Sequence, residues 1–345
     1  MRVNPIRCVS ILIVWLWVFS GVPANSQNIE KNRQKTFDEL ISVISNYSGG
    51  DSGKQEKRSI SQLLKAGVGG FRFKLQPVND SLLLILKPVG SEDFMSCLDT
   101  IRDHLSQNPN LILTLFLDFG RDTSGLEQAF RETKLFDYLY ELKPGEPWPT
   151  VAEMIRRNKR LVLFSIHYTP AQPTWIHYVW DHAVEPYFSL FEAPTFKGEF
   201  LKGDPKNNLL ILNDFNFPEG SNAEKKLMLA PSTNPYLVTH CLEVWRNSGK
   251  VPNFIMLDYF VPVMVATKNL LSGLKTITGT ITYNQQILDY VGWKNRDNCV
   301  TSGKFSFPVA PGDKIELSPT SPGFRFMPEE AIYDDPEESK ISHSA

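Results

Sequence analysis

Leu111-Ile-Leu-Thr-Leu-Phe-Leu-Asp118 is a short run, apolar on both alternating sides, that closes on an acid. Such a run reads as a strand buried on both faces. Upstream, Ser91–Asn108 has helical period, with Glu92 and Asp93 in its first turn and Pro109 as its stop. Downstream, a helix is expected from about Gly125 to Leu142. A Pro144-Gly-Glu-Pro147 turn, a short helix over Val151–Asn158 and a second strand, Leu161-Val-Leu-Phe-Ser165, follow. Further out, Glu39–Ser45, Phe71–Leu75, Leu82–Leu86, Leu209–Asn213 and Phe254–Asp258 read as strands, and Ser59–Ala66 as a helix stopped at Gly67. Strands of this kind separated by helices specify an α/β protein with a parallel sheet covered on both faces. Seven or eight such units in about 250 residues fit a TIM-like (β/α) barrel. A doubly wound open sheet is the alternative, but no Gly-x-Gly-x-x-Gly follows any of these strands.

Composition supports a packed domain. The 345 residues are 42% hydrophobic and 21% charged, which excludes a wholly disordered or collagen-like chain. A formal charge of −2 gives no global basic field for nucleic acid. The acidity is local, because residues 329–345 hold six acids (Glu329, Glu330, Asp334, Asp335, Glu337 and Glu338) against Lys340.

The N-terminus has the three parts of an export signal. Arg2 and Arg7 precede the twelve apolar-run residues Cys8–Phe19, and Ala24 and Ser26 occupy the −3 and −1 positions for cleavage before Gln27. The run is shorter than the ~20 residues a transmembrane helix needs, so the expectation is a secreted, extracellular protein without a transmembrane span. Cys97, Cys241 and Cys299 remain after cleavage, an odd number that fits one disulfide of unassigned pairing plus one thiol. Asn46-Tyr-Ser and Asn79-Asp-Ser then become glycosylation candidates.

Beyond Tyr259 the pattern changes. Thr276–Tyr283 is Thr-rich, and Lys304-Phe-Ser-Phe and Lys314-Ile-Glu-Leu alternate across Ala310-Pro-Gly-Asp313, as a β-hairpin would. The expected organisation is a signal peptide (1–26), a lead-in (27–36), a barrel (37–262), a C-terminal β appendage (263–317) and an acidic disordered tail (318–345).

From roughly Phe37 to Phe260 the chain resembles the X domain of phosphatidylinositol-specific phospholipase C, nearest to its secreted, single-domain eukaryotic branch. The resemblance rests on Trp148-Pro-Thr-Val-Ala-Glu-Met-Ile155, Asn158-Lys-Arg-Leu-Val-Leu-Phe164, Leu209-Leu-Ile-Leu-Asn-Asp-Phe215 and Pro252-Asn-Phe-Ile-Met-Leu-Asp-Tyr-Phe260. It implies a PLC-like phosphodiesterase barrel with its site at the C-terminal strand ends. It also implies phosphodiester cleavage through attack by the neighbouring inositol hydroxyl. One group takes that hydroxyl's proton and another supplies a proton to the leaving alkoxide, tasks suited to imidazole. Positive charge, from calcium or arginine, meets the phosphate oxygens.

The family's first histidine lies in a Thr-His-Asn-Ser/Ala segment, which corresponds here to Ile44-Ser45-Asn46-Tyr47. Its strand-two acid corresponds to Lys74 in Gly67–Lys74, and its second histidine falls near Lys87-Pro88. No alignment restores either imidazole, because residues 1–103 contain no histidine. Serine has no pKa near neutrality and lysine is ordinarily protonated, so neither can replace the proton shuttle. Asn46, Asp118 and Asp258 are retained, and Arg72, Lys74, Lys87 and His167 join them as candidates for holding a phosphate or an inositol.

Three readings follow from the resemblance. The first is a catalytically impaired pseudoenzyme that binds a phosphorylated polyol (a phosphoinositide or inositol phosphate), a lipid headgroup or a partner. The second is a phosphoric diester hydrolase of lipid metabolism with a rearranged site using Asp118, Asp258 and His167. The third is a barrel that serves as a scaffold for protein–protein interaction. No cofactor is expected, and calcium enters only if an active site persists. His167, His177 and His182 match no zinc spacing. The ten aromatics between Phe164 and Phe200 read mainly as core, and Arg156–Arg160 as a solvated helix end.

Overall fold

The computed structural model describes residues 32–47, 59–78, 81–85, 91–119, 125–143, 145–170, 173–186, 196–213, 237–257, 262–296, 299–310, 312–334 and 339–344. Among the described residues eleven strands build the barrel sheet: β1 (Ser42–Asn46), β2 (Gly70–Val78), β3 (Ser81–Ile85), β4 (Ser91–Asp93), β5 (Leu113–Asp118), β6 (Leu161–Ser165), β7 (His177–Tyr178), β8 (Ala183–Pro186), β9 (Phe200–Lys202), β10 (Leu209–Asn213) and β11 (Phe254–Leu257). Their order around the curled sheet is β7-β6-β5-β2-β1-β11-β10-β8-β9, with β3 and β4 continuing from β2. Every ladder from β7 round to β8 is parallel. The 3₁₀ turn Val179–Asp181 joins β7 to β8, so the chain itself links the two ends of the parallel run.

β5 shows why these strands read as unbroken apolar runs. Leu113, Leu115 and Leu117 pack with Phe71, Phe73 and Leu98 in the layer between sheet and helices. Phe116 points the other way and joins Ile44, Phe164, Ile211 and Phe254 inside the barrel. Phe37 and Trp148, with ring centroids 4.7 Å apart, fill the interior near the strands' N-terminal ends. The barrel is therefore a packed core rather than a pore.

The helix Phe94–Gln107 buries Phe94, Cys97, Leu98, Ile101 and Leu105, one face at helical spacing. Asp93 caps its start by accepting from Met95 N and Ser96 N. Its far end is closed by Arg160, which is only 3% exposed and donates to the carbonyls of Leu105, Asn108 and Leu111 at 3.0, 2.9 and 3.2 Å. The expected solvated basic run thus contains one buried structural arginine.

Several expectations are corrected. Leu82–Leu86 is not a parallel barrel strand, since β3 pairs antiparallel with β2 and then with β4. Two residues separate β2 from β3, far fewer than a parallel crossover requires. Residues 37–39 form a 3₁₀ turn before β1, and the helix expected to reach Leu142 ends at Glu132.

Beyond the helix Pro262–Ser272, nine strands among the described residues form the appendage: β12 (Lys275–Tyr283), β13 (Gln286–Ile287), β14 (Val291–Trp293), β15 (Val300–Thr301), β16 (Lys304–Val309), β17 (Lys314–Leu317), β18 (Pro319–Thr320), β19 (Ala331–Asp334) and β20 (Ser339–Ser344). The expected hairpin between the segments at 304 and 314 does not form, because β16 pairs with β12 and β17 with β19. The expected disordered tail is also corrected. β18 pairs with β14, β19 with β17, and β20 with β12, because open sheet edges offer backbone partners that composition does not reveal. The appendage has its own core around Ile277, Ile281, Trp293, Phe305, Phe307 and Leu317. The three later cysteines are all buried, Cys97 in the core beneath the helix Phe94–Gln107 and Cys241 and Cys299 together in a second core. No helix of the described residues is long and apolar enough to cross a membrane.

Candidate functional site at the barrel mouth

Side chains two apart on a strand share a face, so on β1, β2 and β5 the interior positions lead to polar residues where the strand ends. Ile44 leads to Asn46, Gly70 to Arg72 and Lys74, and Phe116 to Asp118. The register aligns Asn46 with Arg72 and Lys74 with Asp118. Gly70 is required for this closeness, because a Cβ there would lie 2.1 Å from the Thr114 carbonyl oxygen of β5.

Arg72 Nη2 donates to Asp118 Oδ2 at 2.9 Å, and His167 Nε2 meets Asp118 Oδ1 at the same distance. The Asp118 carboxylate is thus held from both sides. Burial works to raise its pKa, but the hydrogen bond and charge of Arg72, followed by those of His167, outweigh it and hold the carboxyl below its usual range. His167 follows β6, and the buried Ser165 hydroxyl donates to the His167 backbone carbonyl, fixing the turn that carries the ring to Asp118. The imidazole is 55% exposed and Lys74 is exposed, so both face a ligand arriving from solvent.

A second polar group lies on the other side of the mouth. Glu185 of β8, whose side chain is 2% exposed, accepts from Lys202 Nζ of β9 at 3.1 Å and from Asn213 Nδ2 of β10 at 3.2 Å. Sequence reading missed this group. Its signal was available, since Asn213 closes the Leu209–Leu212 run as Asp118 closes its own, and Glu185 interrupts an apolar segment.

The mouth brings together Asn46, Arg72, Lys74, Asp118 and His167 from the expected set. Ser45 lies on the opposite face, in the alternation of Val43 and Tyr47, and is not brought into the mouth. Lys87 and Asp258 fall outside the described residues, as do Asn79 and the leader. His177 and His182 are separated from His167 and stand edge-on to Trp148 inside the barrel. Burial pushes His177 down to about 4 and lowers His182 as well. Among the described aromatics, Phe164, Trp175 and Phe196 are buried, whereas Tyr168 beside the mouth is 61% exposed.

This donor set is poorly suited to a divalent cation. Calcium needs six to eight oxygens, whereas Asp118 and Glu185 are on non-adjacent strands and each already holds a cationic side chain. Among the described residues no group of three or more His, Cys, Asp or Glu could hold a metal.

The family model PI-PLC X matches residues 45–270. A PI-PLC X domain-containing protein of Arabidopsis thaliana is 25% identical over 224 residues, covering 60% of this chain and 51% of that protein. The chain therefore spans about half the length of this curated relative. Among solved structures, the phosphatidylinositol-specific phospholipase C of Listeria monocytogenes aligns with a TM-score of 0.49 and 13% identity, over 69% of this chain and 95% of that one. The corresponding Staphylococcus aureus protein gives 0.45 and 15%, over 71% and 96%.

Proposed function

The chain belongs to the PI-PLC X-domain family, and from that premise we propose that it is a secreted protein that binds a phosphorylated polyol at the barrel mouth without cleaving it. The observation that carries this reading is the Arg72–Asp118–His167 arrangement, with Lys74 in register beside it. Arg72 offers planar N–H donors and Lys74 a mobile point charge, a pairing suited to phosphate oxygens. Asp118 sets the Arg72 fork, and Asn46 and Asn213 stand at strand ends where hydroxyls can be read.

Cleavage requires a base for the attacking hydroxyl and an acid for the leaving oxygen. Among the described mouth residues His167 is the one imidazole, and one imidazole does not supply both positions independently. Binding therefore outlasts chemistry. The test is calorimetric titration with inositol 1-phosphate alongside an assay of labelled phosphatidylinositol in vesicles. We expect saturable binding with no product above background, and roughly 10- to 100-fold weaker binding in Arg72→Ala, the loss of a charge-assisted hydrogen bond. Absence of binding to both the free phosphate and the vesicle headgroup overturns the reading.

One observation favours a second reading. The His167–Asp118 contact is an oriented acid–base pair in which the carboxylate fixes the ring. Turnover abolished by His167→Ala, with the fold intact, would make the protein a phosphoric diester hydrolase with a rearranged site.

Export is tested by sequencing the N-terminus of the secreted chain, expected at Gln27. Asn46 lies on the mouth side of β1, so a glycan there would fill the site. Ligand binding thus requires Asn46 unmodified, and intact mass before and after glycan removal decides it.

A further inference from the structure

A cleft of about 370 Å3 lies at the end of the barrel opposite the mouth, between the barrel floor and the β appendage. On the barrel side it is lined by Asp38, Asn208 and Lys250, which precede β1, β10 and β11. The appendage contributes one face of the β12–β16 ladder, where Thr278 pairs with Ser306 and Thr280 with Lys304. The opposite face of the same ladder, Ile277, Ile281, Phe305 and Phe307, is apolar core. A two-sided strand pair has therefore turned its polar side inward against the barrel.

Lys250 is placed by design of the backbone. Gly249 ends the helix 237–248 with φ +66, and its N–H donates to Trp245 O at 2.9 Å. A Cβ at Gly249 would lie 2.8 Å from Phe307, so the turn is held tightly against the appendage. The Lys250 side chain is buried, at 3% exposure, and its Nζ donates to Asn207 O at 2.5 Å. A lysine ammonium carries three N–H donors, and Asn207 O is its hydrogen-bond acceptor among the described residues. Thr278, Thr280 and Ser306 bring hydroxyls to the same lining.

We infer that this cleft is a binding site for a neutral, monosaccharide-sized polyol. Lys304 Nζ and Asp38 Oδ2 pair at 2.7 Å and cancel. Glu39, also on the lining, accepts from Thr36 N at 2.8 Å, so the lining holds two acids, Asp38 and Glu39, and two lysines, Lys250 and Lys304. The lining thus mixes donors and acceptors with no excess charge, which suits a molecule whose hydroxyls both donate and accept. Val251, Gly249 and Gly279 supply the apolar surface that a sugar's C–H faces require. The volume is at the small end of ligand sites, ~300–1,000 Å3, and admits one ring rather than a lipid. Burial pushes Lys250 down to about 7 against the opposing pull of Cys299, Asp38 and Asp204, so near neutrality it can donate as an ammonium or accept as an amine.

The test uses the full chain with D-glucose, D-mannose, D-galactose and D-xylose, followed by saturation-transfer NMR and calorimetry, with acetate and inorganic phosphate as charged controls. Saturable binding of at least one pyranose is expected, weakened tenfold or more by Lys250→Met and by Thr280→Val. Thr280→Val keeps the burial and shape of the site and covers the case in which Lys250→Met does not fold. Silence of all four sugars overturns the inference, as does binding of the two anions alone, or sugar binding that Thr280→Val leaves unchanged.

Discussion

Asp118 is the residue through which the mouth is organised. Two cationic or protonatable groups, Arg72 on β2 and His167 just after β6, reach one carboxylate from the two strands that flank β5. Asp118→Asn removes the charge while keeping the shape, so Arg72 loses its counter-charge and becomes available to a phosphate. The expected outcome is retained fold with altered affinity for inositol 1-phosphate, measured by calorimetry, whereas Arg72→Ala only weakens it. Arg160 is the contrasting case, a charged residue whose work is structural. Its removal leaves the carbonyls of Leu105, Asn108 and Leu111 without their donor. Arg160→Ala is expected to cost about 3 kcal/mol in urea denaturation. Arg160→Lys should recover only part of that, since one ammonium does not span three carbonyls in a fork. Both arginines look alike in sequence, and only their surroundings separate the proposed binding role of Arg72 from the structural one of Arg160.

At the level of elements, β2 is the most constrained strand. It carries Arg72 and Lys74 to the mouth, pairs with β1 and β5, and extends into the β3–β4 meander. Gly70 permits its approach to β5, and Gly70→Ala would force a Cβ to 2.1 Å from the Thr114 carbonyl oxygen. A loss of at least about 2 kcal/mol is expected, the cost of overpacking where backbone must shift, read as a lowered midpoint in thermal unfolding. Much of this level was legible beforehand. The strands at 111–118, 161–165, 209–213 and 254–258 and the helix before β5 follow from apolar runs, period and capping, because burial on two faces leaves a clear mark on composition. Pairing was less legible. Leu82–Leu86 has the same composition as a parallel strand, yet the two-residue connection makes it a hairpin partner. Likewise Lys314–Leu317 and Lys304–Val309 look like two arms of one hairpin, but each finds a better edge elsewhere.

The whole molecule is a TIM-like α/β barrel of the PI-PLC kind with a β appendage fastened to its floor. Trp245 Nε1 donates to Ser306 O at 2.8 Å, Ser306 N to Gly249 O at 2.7 Å, and Lys304 pairs with Asp38. Buried histidines make its stability depend on pH. Burial pushes His177 and His240 each to about 4, against 6.5 when unfolded. Below pH 6.5 the unfolded chain binds protons that the folded one refuses, so stability falls as pH drops from about 6.5 to 4 and is fully present above that window. Each histidine contributes on the order of 3 kcal/mol across the window. Urea denaturation at pH 7 and pH 5 should show this loss, and His177→Phe should reduce it. A stability independent of pH over this range would contradict the assignment of these rings as buried and neutral. The sequence by itself determined the α/β class, the family, several of the barrel strands and the absence of histidine from residues 1–103, because these depend on which residues are present and on their local spacing. Tertiary structure alone decided that His167 reaches Asp118, that Ser45 turns away from the mouth, that Glu185 joins Lys202 and Asn213, and that the acidic C-terminal segment enters a sheet. Each of these is a contact between residues far apart in the chain, and which strand edges and side-chain faces meet is fixed only when the sheet curls and closes.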